Sequence, residues 1–400
     1  MDTAPDSHRS LSPLRFISVE AASGLVLLAA AALALACANS PLAPTYQALW
    51  EYRVNFGAPF LPAQDLHFWV NDGLMTVFFL LVGLEIRREI HDGTLSDPRI
   101  ATLPIVAAAG GVVVPALIYL LVAAGPQLRR GWAIPTATDI AFAVGVLSLL
   151  GRVPRALRML LLTLAIADDL AAVLVIALFY SEGLVIGQFL VIAAGVALVL
   201  LLQALGVRLA LAYVIPAAVL WLGMLRAGFH PALAGVLLGL LTPVSADFGL
   251  LAKSAPGSAA PLLRVEALLH PYVAFGIMPL FAFANAGVRL DGLDFSAAPL
   301  AVGTGIVLGL VLGKPLGIVL AALAAVTLKI AHLPAQVRWP ELLLLGILGG
   351  IGFTMSVFIA DLAFADARLL TAAKFAVLLG SAIAAALALL LGRLHTRART

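Results

Sequence analysis

Four hundred residues that are 62% hydrophobic and 11% charged, with a mean hydropathy of +1.09, exclude a soluble globular chain. The basic residues behind the net charge of +3 are scattered over short connections and build no nucleic-acid surface. A single cysteine, Cys37, excludes an intramolecular disulfide framework and a cysteine metal cluster. Apolar runs of about 20 residues recur along the chain and specify a polytopic, all-α membrane protein.

Arg9 and Arg15 precede an apolar run at 16–38 that ends in ALACANS. Basic residues, an apolar run and a small-residue site imitate a secretory signal, but the run exceeds the roughly 7–15 residues of a signal core. It is expected to be a retained first span. Further spans are predicted near 66–85, 100–124, 133–150, 157–180, 185–204, 208–225, 229–243, 270–288, 299–326, 340–362 and 369–392, twelve in all. Alternating sides from a cytoplasmic start puts sixteen of the 24 basic residues inside and seven outside, with Lys314 inside a span. The outside group includes Arg129 and Arg130, a local exception, and Lys374. The positive-inside rule therefore predicts a multi-pass inner (plasma) membrane protein with both termini cytoplasmic.

Two connections are long. In residues 39–65, Tyr46, Trp50, Tyr52, Val54 and Phe56 fall on alternate positions before Gly57, which predicts a small extracytoplasmic β-hairpin. Its open edges would pair with a second copy, so a homodimer through 39–65 is expected. Residues 244–269 form a Ser/Ala/Pro-rich cytoplasmic linker ending in a short helical piece with Arg264 and Glu266. It divides one integral membrane unit, 1–400, into helical halves at 16–243 and 270–392, flanked by cytoplasmic tails at 1–15 and 393–400.

The informative residues are the polar ones at bilayer depth. TLAIADDLAAV (163–173) places Asp168 and Asp169 side by side near the middle of a span. A carboxylate there costs about 2.5–3.5 kcal/mol on insertion scales, and intramembrane acids are functional candidates by default. Adjacent acids also repel and titrate as a pair. Lys314, in GLVLGKPLGIV, lies too deep to snorkel and needs an acidic partner, for which Asp168 or Asp169 is the candidate.

Pro135 interrupts a second span just before Thr136, Thr138 and Asp139. Proline removes a helical hydrogen bond, and non-helical backbone at membrane depth survives only inside protein or beside a water-filled cavity. GILGGIGFTMS (346–356) is a second weak point, open both to close packing by its glycines and to a break. The two interrupted spans are the middle members of two helix triplets, a pattern that points to a transporter's central site.

Other polar residues are weaker signals. Asp72 could line an access path or cap a helix. Glu85, Arg87, Arg88 and Glu89, with Glu266 and His270, read either as a pH-reporting cluster or as a solvated helix end. His230, before Pro231, marks the outer end of a span.

These stretches resemble a known family. FFLLVGLEIRREI (78–90), GWAIPTATDIAFAVGVLSLLG (131–151), LAIADDLAAVLVIALFY (164–180), HPALAGVLLGL (230–240), LHPYVAFGIMPLFAFANAG (269–287), LGKPLGI (312–318) and GILGGIGFTMSVFIA (346–360) are similar to the bacterial NhaA-type sodium/proton antiporters. The likeness runs from about Val70 to the last helix. It implies inverted repeats with two broken, crossing helices, the fourth and the eleventh spans.

The resemblance implies Asp169 as main ligand for Na+ or Li+ and as proton carrier, with Asp168 its partner. Lys314 pairs with Asp168 when no cation is bound. Asp139 and Thr138 lie at the crossing, where Asp139 offsets positive helix ends and Lys314 negative ones. Glu85 and Glu266 match positions tied to pH activation, and His230 one tied to pH response. Pro231 after His230, and Ala267 where the family pattern has histidine, depart from it and bear on the pH set-point.

The expected function is electrogenic export of Na+ or Li+ in exchange for protons, by alternating access, with pH regulation, no cofactor, membrane lipid as surroundings and no nucleic-acid partner. An intramembrane aspartyl protease needs a Gly-x-Gly-Asp run and acids on separate helices, whereas these are adjacent and follow Ile166-Ala167; the chain is not expected to be an enzyme. A proton- or sodium-coupled carrier of small organic anions is the alternative, and it requires a larger polar pocket.

Overall fold

The computed structural model describes residues 13–55, 57, 63–150, 154–181, 183–245, 260–334 and 337–397. The helices are α1 (Pro13–Ala38), α2 (Ala43–Trp50), α3 (Leu66–His91), α4 (Pro98–Val122), α5 (Ile140–Ser148), α6 (Arg155–Phe179), α7 (Ile186–Ala204), α8 (Ala210–Ala227) and α9 (Leu233–Leu241). They continue as α10 (Pro261–Asn285), α11 (Ala297–Thr327), α12 (Trp339–Gly349), α13 (Phe353–Ala363) and α14 (Ala367–Arg397). Among the described residues, eight helices are long and apolar enough to cross a membrane, or up to eleven if each sharply bent pair is one span. The expected count of twelve exceeds this because 229–243 yields only the nine-residue α9, too short to cross alone.

The expected hairpin in residues 39–65 is reduced to one short strand pair preceded by a helix. Tyr46 and Trp50 lie on α2, where four-residue spacing puts them on one face. Tyr46 donates to the Phe283 carbonyl at 2.5 Å, and both rings meet Phe283 edge-on. Alternating aromatics thus served a helix packed on α10, not a strand. Among the described residues, strand pairing is confined to Arg53–Val54 against Gln64–Asp65, antiparallel; Phe56 lies outside the described residues. The linker's helical end is likewise continuous with the span that follows, since α10 starts at Pro261.

Two contacts show why small residues recur. A Cβ on Gly83 of α3 would lie 2.7 Å from the Val236 carbonyl oxygen of α9, and one on Gly239 would lie 2.7 Å from the Gly83 carbonyl carbon. Gly110 of α4 and Gly317 of α11 meet in the same way, backbone against backbone. Lipid supplies no hydrophobic drive between helices, so contact of this closeness is what holds them. Large apolar side chains such as Leu121 and Ile186 point outward, as a lipid-facing surface requires.

Among the described residues, three spans contain a widened π turn, at Trp69–Leu74, Val273–Ile277 and Gly309–Gly313. Pro279 and Pro315 follow two of them and cannot donate to the preceding turn, and the wider turn absorbs that loss. Each lies against a polar residue: Asp72 is within the first, His270 precedes the second and Lys314 follows the third.

Candidate functional site

Both interrupted spans break where the glycines and Pro135 predict. Leu128–Thr136 is a tight 3-10 helix bent by 41° from α5, and α12 is bent by 45° from α13. The two breaks cross. The Asp139 N–H donates to the Ile351 carbonyl at 2.7 Å, and the Ser356 hydroxyl to the Ile134 carbonyl at 2.7 Å.

Asp139 holds the N-termini of two helices at once. Its Oδ1 accepts from the Phe142 N–H at 3.0 Å, capping α5, and its Oδ2 accepts from Thr354 at the start of α13. Each helix start carries partial positive charge and unpaired N–H groups, so one carboxylate satisfies both. On the opposing ends, the Thr138 hydroxyl lies 2.9 Å from the Gly349 carbonyl, the last residue of α12. Lys314 is not bonded to a terminal carbonyl among the described contacts; it turns to Asp168.

Asp168 and Asp169 are separated by one residue step on α6, about 100° of helix, and face different surroundings. Asp168 is fully buried; its Oδ2 meets the Lys314 ammonium at 2.5 Å and the Thr138 hydroxyl at 2.7 Å. The hydroxyl has one hydrogen and two acceptors in reach, Asp168 and Gly349, so it ties the acid pair to the broken span. Asp169 instead borders a cavity of ≈ 230 Å³, together with Thr138, Asp139, Thr163 and Thr354. Its Oδ1 is buried and has no hydrogen-bond partner. Carboxylate and hydroxyl oxygens in this arrangement suit a hard monovalent cation.

The cavity continues to Glu85, Arg88 and Glu89 in the C-terminal half of α3 and to His270 in the N-terminal half of α10. Glu266 forms a hydrogen-bonded ion pair with Arg88 beside this mouth. Glu89 accepts from the Thr94 N–H at 2.7 Å, and Thr94 meets Thr163 of α6 at 2.7 Å. The opposite direction is closed by aromatic rings. Phe358, one turn beyond Thr354 on α13, packs on Phe79 (5.3 Å) and Phe281 (6.2 Å).

The Na+/H+ antiporter 1 family matches residues 14–391. The chain belongs to that family. Members at high identity include the Na+/H+ antiporter NhaA of Acidovorax sp., 59% identical over 94% of this chain and 91% of the relative. That of Cupriavidus necator is 52% identical over 96% and 90%. The fold is also that of a sodium/proton antiporter from Methanocaldococcus jannaschii, at 13% identity and a TM-score of 0.52, over 95% of this chain and 97% of the other.

In this member of the Na+/H+ antiporter family, Asp168, Asp169, Lys314, Asp139 and Thr138 converge, and Glu85 shares their cavity. Asp72 and His230 do not join them. They meet each other on the far side of Phe358, His230 Nε2 lying 3.1 Å from Asp72 Oδ1. Sequence reading missed that Thr163 lines the cavity and that Ser381 caps α13 by accepting from the Phe353 N–H at 3.0 Å. It also left Lys374 without a partner; the residue lies on α14 and is bonded to Asp361 at 2.7 Å. Its cost at depth was the available signal, obscured by its nearness to a span end.

Proposed function

We propose that this chain exports Na+ or Li+ in exchange for protons through the site around Asp169. The carrying observation is the division of labour between adjacent acids: Asp169 borders the cytoplasmic cavity while Asp168 is held by Lys314. A cation entering past Glu85 meets Asp169 and competes with its proton. Drawing in Asp168 as second carboxylate displaces Lys314, and the Asp168–Lys314 pair then gives up a second proton. Two protons for one monovalent cation move one net charge inward, so a membrane potential drives export by about 2.3 kcal/mol per 100 mV.

Rocking of the bundle that carries Asp168 and Asp169 against the rest exposes the site outward once the aromatic contact at Phe358 parts. The crossing stays stiff through this motion because Asp139 and Thr138 tie both broken spans. The Glu85, Arg88, Glu266 and His270 cluster tunes access with cytoplasmic pH by linkage. Twelve spans, cytoplasmic termini in a bacterial inner membrane, the two halves around the 244–269 linker, and a homodimer through 39–65 complete the reading. No cofactor is required, because the transported ions are themselves the reactants.

Dye-reported proton movement in everted vesicles tests it, on addition of NaCl, LiCl or KCl from acid to alkaline pH. Na+ and Li+ are expected to release the proton gradient, K+ is not, and Asp169→Asn abolishes the response. Undiminished exchange in that variant rejects Asp169 as ligand, and a wild type inert at every pH rejects the function.

A further inference from the structure

Thr163, Ile166 and Asp169 recur at every third position of α6, and all three line the cavity. The Thr163 hydroxyl therefore stands about 9 Å from Asp169 along the helix, toward the end that holds Glu85, Arg88 and Glu89. It is set differently from other threonines of the spans. Thr76, Thr102 and Thr371 each give their hydroxyl proton to the carbonyl four residues back, the local way to satisfy a threonine in an apolar helix. Thr163 is just as buried, at 4% exposure, yet turns to Thr94 Oγ1 at 2.7 Å, in the short turn between α3 and α4.

Thr94 fixes the direction of that bond. Its N–H donates to Glu89 Oε1 at 2.7 Å, and its hydroxyl donates to the same oxygen. A hydroxyl carries one hydrogen, so Thr94 can only accept from Thr163, and Thr163 must donate. Its proton is thus held toward Thr94, which does not line the cavity, while its oxygen does. That oxygen has no other hydrogen-bond partner among the described residues. Bonds in such a chain polarise one another, and this one ends on a carboxylate, which makes the Thr163 oxygen more negative. At the same end of the cavity Arg88 is held by Glu266, which leaves Glu85 and Glu89 to draw a cation in.

We propose that Thr163 is a ligand for the cation on its way from the cytoplasm to Asp169, with Thr94 and Glu89 as positioning residues that preset its hydroxyl as an acceptor. Hydroxyl and carboxylate oxygens are the donors that a hard monovalent cation selects. The inference rests on the exchange reading above, which makes this the cytoplasmic end of the cavity. It differs from a staple between the α3–α4 turn and α6 in what each threonine does: a staple fails equally whichever partner is removed, whereas a ligand fails when Thr163 is.

The experiment measures the apparent KM for Na+ at one alkaline pH in everted vesicles, which present the cytoplasmic face, beside the melting temperature of the solubilised protein. Thr163→Val keeps the shape and removes the oxygen. It is expected to raise the KM about tenfold, corresponding to about 1.4 kcal/mol, while the maximal rate falls by less than about threefold. Thr163→Ala also lacks the hydroxyl and covers the case in which the valine variant fails to insert; the same rise is expected. Thr163→Ser keeps the hydroxyl and is expected to return the KM to within about twofold of wild type. Thr94→Val breaks the same bond but leaves the Thr163 oxygen on the cavity wall. Its melting temperature is expected to fall as far as that of Thr163→Val, and its KM to rise only about two- to threefold, since the freed hydroxyl can turn its proton inward. Equal KM changes in Thr163→Val and Thr94→Val, a loss confined to the maximal rate, or a serine variant as poor as the valine one would overturn the proposal. A wild type without Na+-dependent exchange marks failure of the underlying function instead.

Discussion

Thr354 hangs both its backbone N–H, at 3.2 Å, and its hydroxyl, at 2.5 Å, on a single carboxylate oxygen of Asp139. The other oxygen caps α5, so two helices broken at membrane depth start from one residue. Asp139 is here the joint of the crossing, and among the described residues it has no bond to Asp168 or Asp169. Asp139→Ala leaves two buried helix starts uncapped, at about 1–2 kcal/mol each. The expected result is a clear fall in the melting temperature of the detergent-solubilised protein. Asp139→Asn keeps one of the two acceptor oxygens, enough for one helix start, and falls less; an equal fall in both would show that charge rather than capping matters.

Lys314 and Asp168 make the second prediction. Removing one partner of a buried ion pair leaves the other uncompensated, typically costing about 3–5 kcal/mol. Lys314→Met is expected to lower thermal stability and, since the pair supplies the second proton in the proposed cycle, to make residual exchange electroneutral. Imposing a potasium–valinomycin potential on proteoliposomes reads this directly: the wild-type rate responds to voltage and the variant rate does not.

Phe358 lies one turn from Thr354 at the cavity and meets His230 of the Asp72–His230 pair, with Phe79 and Phe281 against it. Phe358→Ala is a large-to-small change at a buried position and costs about 3–5 kcal/mol. It also thins the barrier to water. Proteoliposomes carrying it are expected to leak protons without Na+, and a tight, fully coupled variant would exclude this ring as the barrier.

The contact of α3 with α9 depends on absent side chains. A Cβ at Gly83 or Gly239 would lie 2.7 Å from backbone of the facing helix, which cannot yield as a flexible side chain would. Gly83→Val is expected to destabilise by about 1–3 kcal/mol or more through overpacking. Gly183, with φ 63° and open space around it, is the control: Gly183→Asn, a residue tolerated in the left-handed region, should leave stability within about 0.5 kcal/mol.

Much of the site was legible from cost alone. Asp168, Asp169, Lys314 and Asp139 were conspicuous because an apolar span gives an ionisable group no other reason to be there. The same logic applied to Asp361 and Lys374, yet both lie near span ends, where a charge reads as solvated. Burial and pairing between α13 and α14 became visible only once the helices were packed. In residues 39–65, aromatics at even spacing fit a strand and a helix equally, since positions four apart share a face in either. Packing of Tyr46 and Trp50 on Phe283 decided for the helix.

The sequence by itself determined that this is a polytopic helical membrane protein, where two spans break, and which residues are too costly to be incidental. Those are local properties of hydropathy, proline and glycine, and charge. Only the tertiary structure decided how neighbours divide their work, because one step along α6 turns Asp168 to Lys314 and Asp169 to the cavity. It alone paired Asp72 with His230 and Asp361 with Lys374, the first two of which lie far apart in the chain. Which partner a buried charge finds depends on where distant helices cross, and no local pattern carries that.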